Sequence, residues 1–275
     1  MFYKLMALVH LFRIPNCVAL GLLFLSSRRH YGYSTLDIRE ILLAVTWVLL
    51  AAFSYTYNDL RDIAVDRINK PDRPIPSGTL SIKAVKQILI ILGVLIICLA
   101  IKEWQKDFLW PIGALLAGLA YSRFLRARTA FGSNLTACCL VAAVPLSGLP
   151  LRGNIQIWAL AIGIMLLMFG RELQKDALDA KGDVHFRPVP LIFGKHSRIF
   201  QFVYPFLLLL SAVSLYSAIH TTSDSLINKV SLLLLIMIHS IAIIVYIFNK
   251  SSYQAQADIT KLVSYSLVVI LAVGN

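Results

Sequence analysis

Nine long apolar runs dominate the chain, at roughly 5–26, 41–58, 84–101, 108–122, 132–150, 156–172, 199–219, 228–248 and 257–274. About 20 mostly apolar residues suffice to cross a bilayer as a helix. The runs are continuous rather than alternating, which selects helices over a barrel. Only 15% of the residues are charged and 58% are hydrophobic, against about 25% charged in a typical soluble domain. Lipid must therefore cover much of the surface. The expectation is an all-α, polytopic membrane protein with nine transmembrane helices, forming one domain over 1–275. The first run reads as a retained helix rather than a cleaved leader, because Arg13 and Pro15 interrupt it and no cleavage site follows.

The net charge of +12 is explained by membrane topology without any nucleic acid. With the amino terminus in the cytoplasm, 17 basic residues fall on that side, from Lys4 through Arg73, Arg126 and Arg187 to Lys250 and Lys261, and seven fall opposite. That asymmetry predicts nine crossings with the carboxyl terminus outside, in the cell's inner membrane. Tryptophans 47, 104, 110 and 158 at run edges read as interface anchors. The four cysteines, Cys17, Cys98, Cys138 and Cys139, fall inside runs without CxxC spacing and read as buried thiols. His10 and His239 read as buried or helix-facing, and the six histidines form no metal constellation.

Acidic residues are scarce, and eight of the 14 sit in two short segments. One holds Asp59, Asp62, Asp66 and Asp72; the other holds Glu172, Asp176, Asp179 and Asp183. Both follow even-numbered runs, so both are expected on the cytoplasmic side. Asp59, Asp62 and Asp66 are spaced i, i+3, i+7, and Asp176, Asp179 and Asp183 repeat that spacing 117 residues later. On a continuous helix these positions share a face. Each segment is followed by a related tetrapeptide, Arg73-Pro74-Ile75-Pro76 or Arg187-Pro188-Val189-Pro190. The weak repeat suggests two related four-helix halves plus one helix.

Three stacked carboxylates at the carboxyl end of a helix repel one another and oppose its dipole. A cation should offset both costs. Hard oxygen ligands suit Mg²⁺, which keeps several waters and bridges one or two carboxylates to phosphate oxygens. The simpler alternatives are a solvated acidic loop for the first segment and salt bridges to Arg171, Lys175 and Lys181 for the second. Recurrence of the spacing argues against both. Basic residues beside the segments supply the fixed charge that a diphosphate needs, although positive-inside bias would also place them there. Arg13 is different, because it interrupts an apolar run, and an intramembrane charge is a candidate for function.

The stretch NDLRDIAVDRINKPDRPIPSG, Asn58 to Gly78, resembles the first signature of the UbiA superfamily of intramembrane prenyltransferases. RELQKDALDAKGD, Arg171 to Asp183, followed by RPVPLIFGK, resembles the second. Within that superfamily the wording is most similar to the branch of archaeal digeranylgeranylglyceryl phosphate synthases and their bacterial relatives. The resemblance implies a UbiA-like bundle and Mg²⁺–diphosphate ligands at Asn58, Asp59, Asp62, Asp66, Asp176, Asp179 and Asp183, the six aspartates being the catalytic set. It further implies substrate contacts at Arg13, Asn16, Arg67, Lys70, Arg73, Tyr121, Arg126 and Lys175. One departure stands out: members often carry Tyr-x-x-x-Lys, whereas Tyr121 is followed by Leu125 and then Arg126. The implied reaction is Mg²⁺-dependent transfer of an isoprenyl group, C10 to C20, from its diphosphate to a small aromatic or lipid acceptor in the membrane. A UbiA-type terpene cyclase, which needs no acceptor, is the alternative. A transporter with a midplane ion site would bury acids deep within the runs, but these lie at run ends.

Overall fold

The computed structural model describes residues 2–32, 37–102, 109–120, 130–147, 154–183, 198–220, 226–248 and 253–273. Among them are eleven helices and no strand: α1 (Phe2–Phe12), α2 (Ile14–His30), α3 (Ile38–Arg61), α4 (Ile63–Asn69), α5 (Ile82–Lys102), α6 (Leu109–Ala120), α7 (Ala130–Leu146), α8 (Ile155–Asp183), α9 (Arg198–His220), α10 (Leu226–Phe248) and α11 (Tyr253–Val273).

Each of the nine apolar runs overlaps a helix. Five helices are long and apolar enough to cross a membrane among the described residues, and six if α1 and α2 count as one bent span. Apolar side chains cover the outside: Ile90 on α5, Val213 on α9 and Leu233 on α10 are each at least 60% exposed. The chain is an integral membrane protein.

The break between α1 and α2 bends the chain by 51°. Pro15, in the first turn of α2, has no N–H to give the Leu11 carbonyl, and its ring crowds that carbonyl. Arg13 takes up the turn with φ 52° and ψ 52°, a left-handed conformation costing about 1–2 kcal/mol for a residue with a Cβ. The Cys17 thiol donates to the Phe12 carbonyl at 2.9 Å, satisfying one acceptor left over where α1 ends.

At the opposite end of the bundle, Asp37 caps α3 by accepting the Glu40 N–H at 2.9 Å, as an Asp-x-x-Glu box should. The Glu40 carboxylate in turn takes an Arg28 N–H at 2.8 Å. Trp47 is not an interface anchor: it is buried, and its indole N–H donates to Ser147 Oγ at 3.1 Å across to α7. An apolar body with one polar tip suits a core as well as an interface when a partner is in reach. His10 is exposed rather than buried. Cys17 and Cys138 are buried as expected, whereas Cys98 and Cys139 are exposed.

Close helix crossings rest on missing side chains. A Cβ at Gly163 would stand 2.6 Å from Leu215 Cγ and 3.2 Å from its backbone nitrogen, so α8 meets α9 at near-backbone distance, as small residues permit between membrane helices. Gly163→Val is expected to cost about 1–3 kcal/mol through overpacking. Thermal unfolding in detergent checks this; an unchanged midpoint would show that the crossing relaxes freely.

Buried polar side chains then fix α8 against α9 and α11. The Tyr204 and Thr260 hydroxyls share a hydrogen bond of 2.6 Å, Thr260 donates to Gln174 Oε1 at 3.3 Å, and Gln174 Nε2 donates to Gln256 at 3.3 Å. Because buried polar groups are costly when unmet, this network sets the height of α8 where its acidic segment begins.

Candidate active site

The first acidic segment spans a kink. Asp59 lies in the last turn of α3, Asp62 caps it with φ −97° and ψ 12°, and Asp66 lies in α4. The single continuous helix expected from the i, i+3, i+7 spacing is therefore interrupted at Asp62. Backbone bonds from Asp62 N–H to Asn58 (2.9 Å) and from Asp66 N–H to Asp62 (2.8 Å) carry the i to i+4 ladder through the kink. That continuity keeps the carboxylates on one side. All three residues are buried, at 3%, 8% and 4% exposure.

Two guanidinium groups converge on them from different parts of the chain. Arg13, at the α1–α2 break, donates to Asp59 Oδ1 at 2.5 Å and stands 4.7 Å from the Tyr55 ring centroid. Arg73 Nη1 donates to Asp66 Oδ2 at 2.7 Å and to Asp59 Oδ1 at 3.1 Å, so one cation bridges two carboxylates. The loop carrying Arg73 is anchored by Ile75 and Leu80, which bury against Ala7, Leu11 and Val85. Gly78, at φ 76°, lets the loop turn back with Leu80 N–H bonded to the Pro74 carbonyl at 2.8 Å. Burial pushes the Asp66 carboxyl above its ordinary pKa, Arg73 opposes that, and the charges of Asp59 and Asp62 reinforce it.

These groups ring the mouth of a cavity of about 220 Å³ that reaches inward between α2, α3, α6, α7 and α8. Asn58, Asp62, Asp66, Lys70 and Arg73 line it from the first segment, and Arg171, Glu172 and Lys175 from α8. Deeper, the wall is Leu20, Trp47, Leu50, Ala114, Val141 and Met168. Charged mouth and apolar depth suit a molecule with an anionic head and a hydrocarbon tail. A second, outer cavity of about 610 Å³ shares Arg13, Lys70 and Arg73 and adds Asp59 and His10.

The UbiA prenyltransferase family matches residues 18–267 of this sequence. The chain belongs to that family. Among UbiA relatives, the digeranylgeranylglyceryl phosphate synthase of Pyrococcus horikoshii is 30% identical over 211 residues, 75% of this chain and 76% of its own. The apo structure of a UbiA homologue from Aeropyrum pernix K1 superposes with a TM-score of 0.76 at 15% identity, covering 95% of this chain and 97% of the other. A UbiA homologue from Archaeoglobus fulgidus bound to GPP and Mg²⁺ gives 0.63 at 21% identity, covering 97% and 100%. At these identities the structures establish the shared UbiA fold. The chain is thus an enzyme, a prenyltransferase.

Most of the residues singled out for this UbiA chain meet at the cavity. Arg13, Asn16, Asn58, Asp62, Asp66, Lys70, Arg73 and Lys175 line it, and Asp59 closes its mouth through the Arg13 and Arg73 bonds. Arg67 is exposed on α4 and lines neither this cavity nor the outer one. Asp176, Asp179 and Asp183 occupy the last turns of α8, one unbroken helix, but their side chains lie outside the described part of the structure. Tyr121 and Arg126 lie outside the described residues altogether. Sequence reasoning left out Tyr55, Asn134, Arg171 and Glu172 as site residues. Asn134 sits beside Ser133 and Thr136 at the start of its apolar run and, like Tyr55, gave no distinct signal.

Whether these residues suit Mg²⁺ can be judged from the donors. Arg73 already occupies the position between Asp59 and Asp66 that a cation would take, and both carboxylates are about 95% buried. No three acidic, histidine or cysteine groups converge as a finished metal cage among the described residues. Mg²⁺ typically takes one or two carboxylates and completes its shell with water and phosphate oxygens, so the donor set fits.

Proposed function

We propose that the chain transfers an isoprenyl group of C10 to C20 from its diphosphate to an aromatic or lipid acceptor, with Mg²⁺ bound by Asp59, Asp62 and Asp66 opposite Asp176, Asp179 and Asp183. The carrying observation is the run of buried carboxylates, two of them bridged by Arg73 and one also paired with Arg13, at the mouth of a cavity with apolar depth. Supporting it, the A. fulgidus homologue holds GPP with Mg²⁺, and the P. horikoshii relative is a digeranylgeranylglyceryl phosphate synthase. The same proposal carries nine crossings in two related four-helix halves over one domain, 1–275, with the site on the cytoplasmic face of the cell's inner membrane.

When bound, Mg²⁺ supplies Lewis-acid neutralisation of the diphosphate oxygens. Arg13, Lys70 and Arg73 provide fixed positive charge where negative charge grows as the allylic C1–O bond breaks and its electron pair leaves with the diphosphate. Leu20, Leu50, Val141 and Met168 hold the tail and exclude water from the allylic cation. The acceptor's nucleophilic atom forms the new bond to C1, and its proton leaves to water or to the departing diphosphate.

Incubating the purified chain with C10, C15 and C20 diphosphates, Mg²⁺ and cell-extract acceptors tests this by mass spectrometry. The expected result is an acceptor heavier by one prenyl unit, with diphosphate released, and no product once EDTA is added. A cyclised hydrocarbon formed without acceptor would replace this proposal with the cyclase.

A further inference from the structure

A smaller cavity of about 90 Å³ lies between α2, α8 and α11. It shares Asn16, Leu20, Tyr55, Val141, Met168 and Arg171 with the main cavity, so the two adjoin along one wall. Its remaining lining is mostly apolar, including Leu23, Ile164, Leu167 and Leu267. Lys261 and Arg171 also line it.

Lys261 was expected on a cytoplasmic loop or end, but it stands inside the apolar stretch Ala255–Ala272 of α11. Its ammonium lies 5.7 Å from the Tyr265 ring centroid. Among the described residues it makes no ion pair, whereas the other cations of this region do: Arg13 and Arg73 with Asp59, Arg171 and Lys175 with Glu172. The Tyr265 hydroxyl donates to Asn16 Oδ1 at 2.5 Å, which fixes α11 against the wall shared with the main cavity. A lysine within a membrane span costs about 3 kcal/mol unless function or a partner compensates. Cavity-facing, half-buried and beside a second cation, this one is placed to receive an oxyanion.

Building on the prenyl-transfer proposal, we propose that this cavity binds the acceptor and that Lys261, with Arg171, holds the acceptor's anionic group, a phosphate or carboxylate. The apolar wall takes the hydrocarbon or ring beside it. The nucleophile would then reach the main cavity past Asn16 and Tyr55, next to the donor's C1.

Two acceptor pairs separate the possible sources of the anion: a glycerol ether phosphate and the same ether without phosphate, and a hydroxybenzoic acid and phenol. Each is assayed with wild type, Lys261→Met and Lys261→Arg, while donor binding with Mg²⁺ is followed by calorimetry. In whichever pair is active, wild type should prefer the anionic member, and Lys261→Met should raise its KM at least tenfold. The neutral member's KM and the donor's Kd should stay as in wild type, and Lys261→Arg should restore the anionic preference. Equal losses on charged and neutral acceptors, an unchanged KM for the anion, or transfer to neither pair would overturn the acceptor assignment. Failure of wild type to bind a prenyl diphosphate with Mg²⁺ would instead overturn the underlying reaction.

Discussion

Asp62→Ala should lower prenyl transfer by about 10³-fold or more, roughly 4 kcal/mol of transition-state stabilisation, while the protein stays folded in detergent. Asp62 lies at the kink between α3 and α4, buried and in the cavity wall. Removing its carboxylate takes away a hard oxygen donor from the place where the diphosphate must be neutralised. The kink itself depends on backbone bonds from Asp62 N–H to Asn58 and from Asp66 N–H to the Asp62 carbonyl, which alanine retains. The check is a steady-state assay alongside a melting curve and Mg²⁺ titration by calorimetry. Turnover within tenfold of wild type would remove Asp62 from the metal site.

Arg73→Met should have two separable effects. Activity should fall by about 10²- to 10³-fold, the usual consequence of deleting a charge that stabilises a developing anion. Stability without Mg²⁺ should also fall, by about 2–3 kcal/mol. Breaking a buried ion pair typically costs about 3–5 kcal/mol, and the 23% exposure of the Arg73 side chain reduces that. Asp66 loses its bridging cation, whereas Asp59 keeps Arg13. Added Mg²⁺ should therefore raise the melting temperature of the variant more than that of wild type, because the metal takes over the charge that the guanidinium supplied. An equal Mg²⁺ shift in both proteins would show that Arg73 and the metal do not share the Asp59–Asp66 position.

The two acidic segments were legible because carboxylates are rare in this chain and their spacing recurs. Their partners were harder to see. Arg13 meets Asp59 across 46 residues of sequence, and only the left-handed turn ahead of Pro15 aims it there. Pro15 signalled that the first run breaks; it could not signal the direction of the bend. Arg73 was readable as a basic residue near phosphate, but its bridge to Asp59 and Asp66 depends on Ile75 and Leu80 seating the loop on α1 and α5. Trp47 and Lys261 were misplaced for one reason. A hydropathy window locates a residue along the membrane axis to within a few positions and says nothing about which neighbour it faces, so a core tryptophan passed for an anchor and a cavity lysine for a loop charge.

By itself, the sequence determined the helices, their lipid-compatible surfaces, the family signatures and the kind of chemistry that clustered aspartates beside arginines support. The helices and their surfaces follow from composition and short-range periodicity, and the signatures from runs of residues that resemble the family's own. Only the tertiary structure decided which cation serves which carboxylate, where α3 yields to α4, and that α2, α8 and α11 enclose a second cavity beside the first. Those outcomes are set by side chains packing across helices up to 249 residues apart, at distances where a shift of one ångström makes or breaks a hydrogen bond.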